Sequence, residues 1–270
     1  MTNLEPPIEH LSAEHPSDSG WIKLADTNLL IIVGVTGVGK STTVAELAAG
    51  GLSFSLLPNR RELTDRFIIT GLQIQAGEAV VPVTDRATRF DYTRRYREQH
   101  QGGMGHLLTK LSIAPSTLTA DWLVFDGLRG ENEVMAAAES LPNARFLLLD
   151  APDAIRVQRL LRRNDAFDRI EAAGAKEVDL GDVGSFLSDG EVQQLLRLVQ
   201  QGQVTLDELK GKLAIVGKER ENYSPKRTKI ALFNTAWERT IDIDTTAKSA
   251  SMAAAETIGY LTEFRAKTAK

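Results

Sequence analysis

Leu29-Leu30-Ile31-Ile32-Val33 runs directly into Gly34-Val35-Thr36-Gly37-Val38-Gly39-Lys40-Ser41, and this stretch decides the fold. Five consecutive apolar residues predict a strand covered on both faces. Gly34, Gly39, Lys40 and Ser41 meet the spacing G-x-x-x-x-G-K-[ST], in which each residue type has a task that others do badly. The glycines admit backbone angles that a Cβ forbids, so the N–H groups from Thr36 through Gly37, Val38 and Gly39 to Lys40, Ser41 and Thr42 can turn inward on phosphate oxygens. Lys40 can then reach the β- and γ-phosphates, and the Ser41 hydroxyl can ligate Mg²⁺ at the start of a helix whose dipole favours anions. Thr42–Ala49 predicts the continuation of that helix, with Gly50-Gly51 stopping it. The expected ligand is a nucleoside triphosphate, ATP, with Mg²⁺; the plainer alternative is a glycine-rich structural turn.

Composition sets the bounds around this motif. A chain of 270 residues, 42% of them hydrophobic, can bury a full α/β core. A net charge of −4 gives no electrostatic footprint for duplex nucleic acid, although a local basic groove stays open. The absence of cysteine excludes disulfides and thiolate metal sites. No signal-type or membrane-length apolar segment is read, since the run Leu29–Val33 is far too short to span a bilayer. A cytoplasmic protein without a membrane partner is expected.

Along the chain, residues 1–20 carry Pro6, Pro7 and Pro16 without hydrophobic period and predict a mobile or loosely docked arm. Residues 21–270 form the expected main domain. Phe54–Leu57, Phe67–Thr70 and Ala79–Val83 predict short strands, Asp91–Gln101 a helix, and Gly102-Gly103-Met104-Gly105 an interrupting loop. Trp122–Asp126 and Arg145–Asp150 are continuously apolar and each ends in an aspartate, as buried parallel strands would. Glu131–Leu141 and Pro152–Arg163 predict the helices that follow them. This alternation gives an α/β, doubly wound parallel sheet with its ligand at the C-terminal strand ends. There Asp126 is a candidate to hold Mg²⁺, against the alternative of a helix or turn cap. Asp150 precedes Ala151-Pro152, a helix start, and reads better as a cap.

These residues resemble a family. Phe125-Asp126-Gly127-Leu128-Arg129, with Asn132, Glu133 and Ala136–Leu141 behind it, is similar to the Asp-Gly-Phe-Pro-Arg segment and next helix of adenylate kinases and related nucleoside monophosphate kinases. Leu149-Asp150-Ala151-Pro152 with Arg159-Leu160-Leu161-Arg162-Arg163 resembles their Leu-Asp-x-Pro strand end and lid-bound arginine helix. Ile241–Thr246 resembles the last strand before the C-terminal helix, here Ala250–Phe264. The resemblance implies a P-loop kinase fold with a lid. It also implies that Lys40 neutralises phosphoryl charge, that Arg129 binds the acceptor, and that Arg159 and Arg163 close over the transferring group. An arginine cluster suits that chemistry, because its planar forks hold pairs of oxygens on which charge develops. A solvated helix face is the other account of Arg159, Arg162 and Arg163.

The chain departs from adenylate kinases in its acceptor region, residues 52–110. Leu128 and Gly130 replace the proline-containing turn, and the adenine-reading segment after the first helix is missing. In its place stands Val83-Thr84-Asp85-Arg86-Ala87-Thr88-Arg89, faintly similar to guanylate kinases, with Arg94, Arg95 and Arg97 behind. Either these arginines pair on the surface with Asp85, Asp91 and Glu98, or Arg86 and Arg89 build an anionic acceptor pocket in which Asp85 orients an acceptor hydroxyl. A lid or insertion over residues 164–227 is longer than an ordinary lid. It includes a turn at Gly181–Gly184, a helix over Glu191–Gln201 and a short helix capped by Thr205. Tyr223–Lys229 reads as a basic solvated loop, and Trp21, Trp122 and Trp237 as packing residues.

Three functions from different classes follow. One is a small-molecule kinase acting on an anionic or hydroxyl-bearing acceptor such as a nucleoside or nucleotide. A second is a kinase for a nucleic-acid or protein end, docked through the insertion and Tyr223–Lys229. The third is a nucleotide-dependent switch or ATPase without acceptor. No Asn-Lys-x-Asp segment is present, which favours adenine over guanine as the donor base. Oligomeric state is not legible.

Overall fold

In a strand, successive side chains point to opposite faces, so an unbroken apolar run needs cover on both. The computed structural model describes residues 10–13, 20–162 and 186–268, apart from the side chains of Arg86 and of residues beyond 264. In it, two short strands, β1 (Leu11–Ser12) and β2 (Ile22–Lys23), precede β3 (Leu29–Val33), all five of whose side chains are buried. Leu29, Ile31 and Val33 enter one core and Leu30 and Ile32 the other. Arg163, the turn expected at Gly181–Gly184, and most of the N-terminal arm lie outside the described residues.

The chain continues through α1 (Lys40–Ala49), β4 (Phe54–Leu56), α2 (Arg60–Leu63), α3 (Thr70–Gln75), α4 (Arg86–Gln99), α5 (Gly103–Lys110) and β5 (Ser112–Ile113). Then come β6 (Trp122–Leu128), α6 (Glu131–Ser140), β7 (Ala144–Asp150), α7 (Asp153–Arg162), α8 (Asp189–Gln200), α9 (Leu206–Asn222), α10 (Pro225–Ala236), β8 (Thr240–Asp244) and α11 (Ala250–Thr268). Five strands form one parallel sheet in the order β4–β6–β3–β7–β8. α1 and α11 cover one face; α5, α6 and α10 cover the other. This is the doubly wound α/β sheet that the sequence led us to expect. β5 pairs antiparallel with β1 and β2 in a small second sheet, so part of the N-terminal arm is held by strand pairing. A third core, with Val157 and Leu160 of α7 against Leu195, Leu209, Leu213 and Val216, joins the helical insertion to the sheet domain.

Several local expectations are corrected. Phe67–Thr70 is no strand: residues 64–69 form a π-helical segment leading into α3, because Leu63, Ile68, Ile69 and Leu72 all face the core on one helical side. Ala79–Val83 has no strand partner; the Gln73 side-chain amide pairs with the Val81 backbone instead (3.1 and 3.2 Å), while Val80 and Val81 stay exposed. The helix at Leu206 is long, running to Asn222. Tyr223–Lys229 is no loop, since Ser224 caps α10 with Pro225 in its first turn, where a missing N–H costs nothing. Trp122 is buried, but Trp237 is 64% exposed and is not a packing residue.

The glycines expected to interrupt the chain at 102–105 instead start α5. A Cβ on Gly105 would lie 1.9 Å from the Glu133 carbonyl oxygen, so glycine lets α5 press its backbone onto α6. Gly105→Ala should therefore destabilise the protein by about 1–3 kcal/mol. Gly259→Ala, in an exposed helical position with nothing within 4 Å, should stabilise it by about 0.5–1 kcal/mol. Urea unfolding of both variants measures the contrast, and equal effects would mean that the α5–α6 contact is looser than described.

Candidate active site

At the C-terminal end of β3 the chain turns through Gly34, Gly37 and Gly39, all with positive φ (151°, 86° and 102°), and α1 begins at Lys40. A Cβ on Gly34 would lie 2.6 Å from the Leu149 carbonyl oxygen, and one on Gly37 would lie 3.0 Å from the Arg156 backbone. The loop is thus a backbone cradle pressed against the start of α7. Lys40 Nζ folds back to donate to the carbonyls of Gly34 (2.8 Å) and Val35 (3.0 Å). Burial lowers its pKa from 10.5 to about 7, with the Arg129 cation adding to the drop and Asp126 and Glu219 opposing it.

A cavity of about 630 Å³ opens over this loop, lined by Thr36, Gly37 and residues 39–43. Because the five strands of the main sheet are parallel, the segments leaving their C-terminal ends meet there in sheet order. β4 contributes Asn59, Arg60 and Arg61; β6 contributes Asp126, Gly127 and Arg129; α7 contributes Arg159 and Arg162; the segment after β8 contributes Thr245 and residues 248–250. β6 carries a bulge where it passes β3: Ile31 pairs with Phe125 but Val33 with Leu128. Such an extra residue re-aims side chains, and here the bulged pair is Asp126-Gly127, both lining the cavity.

The expected residues divide clearly. Lys40, Ser41, Asp126, Arg129 and Arg159 are brought together around one cavity. Asp150 is not among them; it accepts from the Ala151 amide (2.9 Å), and burial raises its carboxyl pKa. Asp85 caps α4 through Thr88 (2.7 Å to the amide, 2.6 Å to the hydroxyl) and lies away from the cavity. Arg89 pairs with Asp65 and bonds the Val83 carbonyl, so it does not line the cavity either. The Arg86 side chain and all of Arg163 lie outside the described residues. Arg94 pairs with Asp91 and Glu98 on the surface, as one of the two accounts of that cluster held.

The residues that sequence reading missed are those that hold the arginines. Arg60 binds Glu133 in a bidentate pair (2.5 and 2.9 Å) and the Gly127 carbonyl (2.8 Å). Burial by itself would push the Glu133 carboxyl up, yet Arg60 and the Arg129 amide hold it below the usual range. Arg129 pairs with Glu219 (2.8 Å), and Arg159 bonds the Thr245 hydroxyl and carbonyl (both 2.8 Å). Asn59-x-x-Glu62 after a strand is a capping box that could have placed Arg60 at the cavity rim. Glu219 has no such local signal.

The donor set fits the group the loop implies. Ser41 and Asp126 offer a hydroxyl and one carboxylate, the sparse oxygen set with which Mg²⁺ is held when phosphates complete its shell. No cluster of three or more His, Asp or Glu residues among the described residues provides a self-sufficient metal cage. No helix among them is long and apolar enough to cross a membrane.

No protein-family model matches the chain, and no curated protein matches it. Among solved structures it is similar to a sugar kinase from Janibacter sp. HTCC2649 at 16% identity, covering 87% of this chain and 95% of that one with a TM-score of 0.36. It is also similar to a gluconokinase from Sinorhizobium meliloti 1021 (14%, 88% and 93%, TM-score 0.36). A third similar structure is shikimate kinase from Acinetobacter baumannii in complex with shikimate (15%, 89% and 96%, TM-score 0.37).

The lowered Lys40 pKa gives a signed prediction. Phosphate oxygens favour the ammonium form, so binding inorganic tripolyphosphate returns the Lys40 pKa toward its ordinary value and takes up a proton above pH 7. Affinity should be insensitive to Lys40 titration below pH 7 and fall by up to about tenfold per pH unit above it. Calorimetry in buffers of different ionisation enthalpy reads the proton directly, and Lys40→Met should abolish the uptake.

Proposed function

We propose that the protein is an ATP-dependent phosphotransferase that moves the γ-phosphoryl group of Mg–ATP to a small-molecule acceptor. One observation carries this reading: a single cavity extends from the phosphate loop to both flanks of the sheet edge, with polar linings of different character. We assign the β7–β8 flank to the base, since it offers Thr245, Ser249 and Ala250. We assign the β4–β6 flank to the acceptor, because Asn59, Arg60, Arg129 and Asp126 there combine donors with both charge signs.

In this mechanism an acceptor hydroxyl oxygen forms a bond to the γ-phosphorus as the bridging β–γ P–O bond breaks. Its electron pair leaves on ADP, and the hydroxyl proton passes to solvent. The transition state spreads charge over the equatorial oxygens, so positioned cations supply most of the acceleration. Lys40 and Arg159 face those oxygens, and Arg129 turns toward the acceptor side. Mg²⁺, held by Ser41 and Asp126, would neutralise charge on the β- and γ-phosphates. Asp85 and Arg89 have no part in this assignment, because neither lines the cavity.

The experiment is to incubate the protein with Mg–ATP and a panel of nucleosides, nucleotides, sugars, amino alcohols and oligonucleotide ends, following phosphoryl mass gain. Labelling of one small-molecule class is expected; ADP release with no labelled acceptor would favour a switch or ATPase instead. Lys40→Ala should abolish turnover with circular dichroism unchanged. Arg159→Ala should lower kcat by about 10²–10³-fold while changing ATP affinity much less, as expected for a donor whose contacts strengthen in the transition state. Asp126→Asn should raise the Mg²⁺ concentration needed for turnover, leaving metal-free ATP binding intact.

A further inference from the structure

The phosphate loop is gripped from a side that the cavity does not include. Glu219, near the end of α9, is 8% exposed and lies outside the cavity lining. Its Oε1 accepts from the Thr36 hydroxyl (2.6 Å) and from Arg129 Nη1 (2.8 Å). The Thr36 amide donates to both carboxylate oxygens (3.2 and 3.0 Å), and Arg156 Nη2 donates to Oε2. Arg156 Nε in turn donates to the Thr36 carbonyl (2.8 Å). The two peptide groups flanking Thr36 are therefore fixed by one buried ion pair. One turn further along the chain, Tyr223 packs over Gly130 and its hydroxyl meets Arg60 at 3.4 Å.

A carboxylate beside a site that binds triphosphate is unfavourable for phosphate, and stability alone does not require it. Buried ion pairs can often be replaced by apolar residues without loss. What apolar residues could not do is aim Arg129 into the cavity while holding a loop amide. α9 itself packs on α7 and α8 and belongs to the insertion. We propose that Glu219 is a positioning residue: it orients Arg129 and the Thr36 backbone for phosphoryl transfer, so that transfer depends on α9 being docked. This rests on the kinase reading above.

Glu219→Gln keeps one oxygen for the Thr36 amide and removes the charge that holds Arg129. Turnover at saturating Mg–ATP should fall by about 10- to 100-fold, with the Kd for Mg–ATP from calorimetry changing by less than about threefold. In an Arg129→Ala background the same substitution should cost less than about twofold, because coupled residues are not additive. A second arm needs no turnover. Hydrogen–deuterium exchange of the full chain should slow at residues 216–222 when Mg–ATP binds, and Glu219→Gln should abolish that slowing.

Unchanged turnover in Glu219→Gln, an equal loss in the Arg129→Ala background, or Mg–ATP binding without slowed exchange at 216–222 would each overturn the proposal. Calorimetry on the unaltered chain separates this failure from that of the kinase reading. Absence of Mg–ATP binding overturns both, whereas binding without coupling overturns only the role of Glu219.

Discussion

The Arg156 guanidinium is 1% exposed, and a cation that deep in a protein persists only if its partners are fixed around it. Its partners come from three places: Asp153 one turn back on α7, Glu219 on α9, and the Thr36 carbonyl of the phosphate loop. Arg220 closes the group from the other side of Asp153. Leaving such a charge unpaired costs about 3–5 kcal/mol, so loop, sheet domain and insertion are held in one arrangement. The glycine loop is shaped by its glycines, but it is attached to α7 and α9 by hydrogen bonds between Thr36 and a buried ion pair.

The same logic orders the rest of the cavity. Arg60 and Arg129 are each tied to a buried carboxylate, Glu133 and Glu219, and both carboxylates also hold backbone. Lys40 and Arg159, by contrast, form no ion pair among the described residues and bond carbonyl and hydroxyl oxygens. Paired arginines keep a fixed direction, while cations bound to neutral oxygens can shift to incoming phosphate at smaller cost. Under the proposed function, the division separates groups that set the shape of the site from groups that would meet phosphate charge within it.

Local sequence was a good guide wherever one physical requirement acted alone. Leu29–Val33, Trp122–Asp126 and Arg145–Asp150 are buried on both faces, and unbroken apolar runs say so. Lys40 and Ser41 follow from the glycine spacing, and Asp126 from its place near a strand end. Reading failed where tertiary burial competed with propensity. Ile68, Ile69 and Thr70 favour strands as β-branched residues, yet their core-facing neighbours have helical spacing. The glycines at 102–105 signal a loop in isolation and a close helix contact beside α6. Asp85 and Arg89 look like an acceptor pair in one dimension, but helix capping and Asp65 engage them.

The sequence by itself determined the parallel α/β sheet, the glycine-shaped turn at the end of β3 and the aspartate beside it, because strand burial and backbone cradling depend on residues that are neighbours in the chain. Only the tertiary structure decided which arginines face the cavity and what holds them. Glu219 lies 183 residues from Thr36 and 90 from Arg129, and no local pattern encodes a contact at that separation. Charge pairing acts through space, and the sheet's parallel strand ends bring its members together.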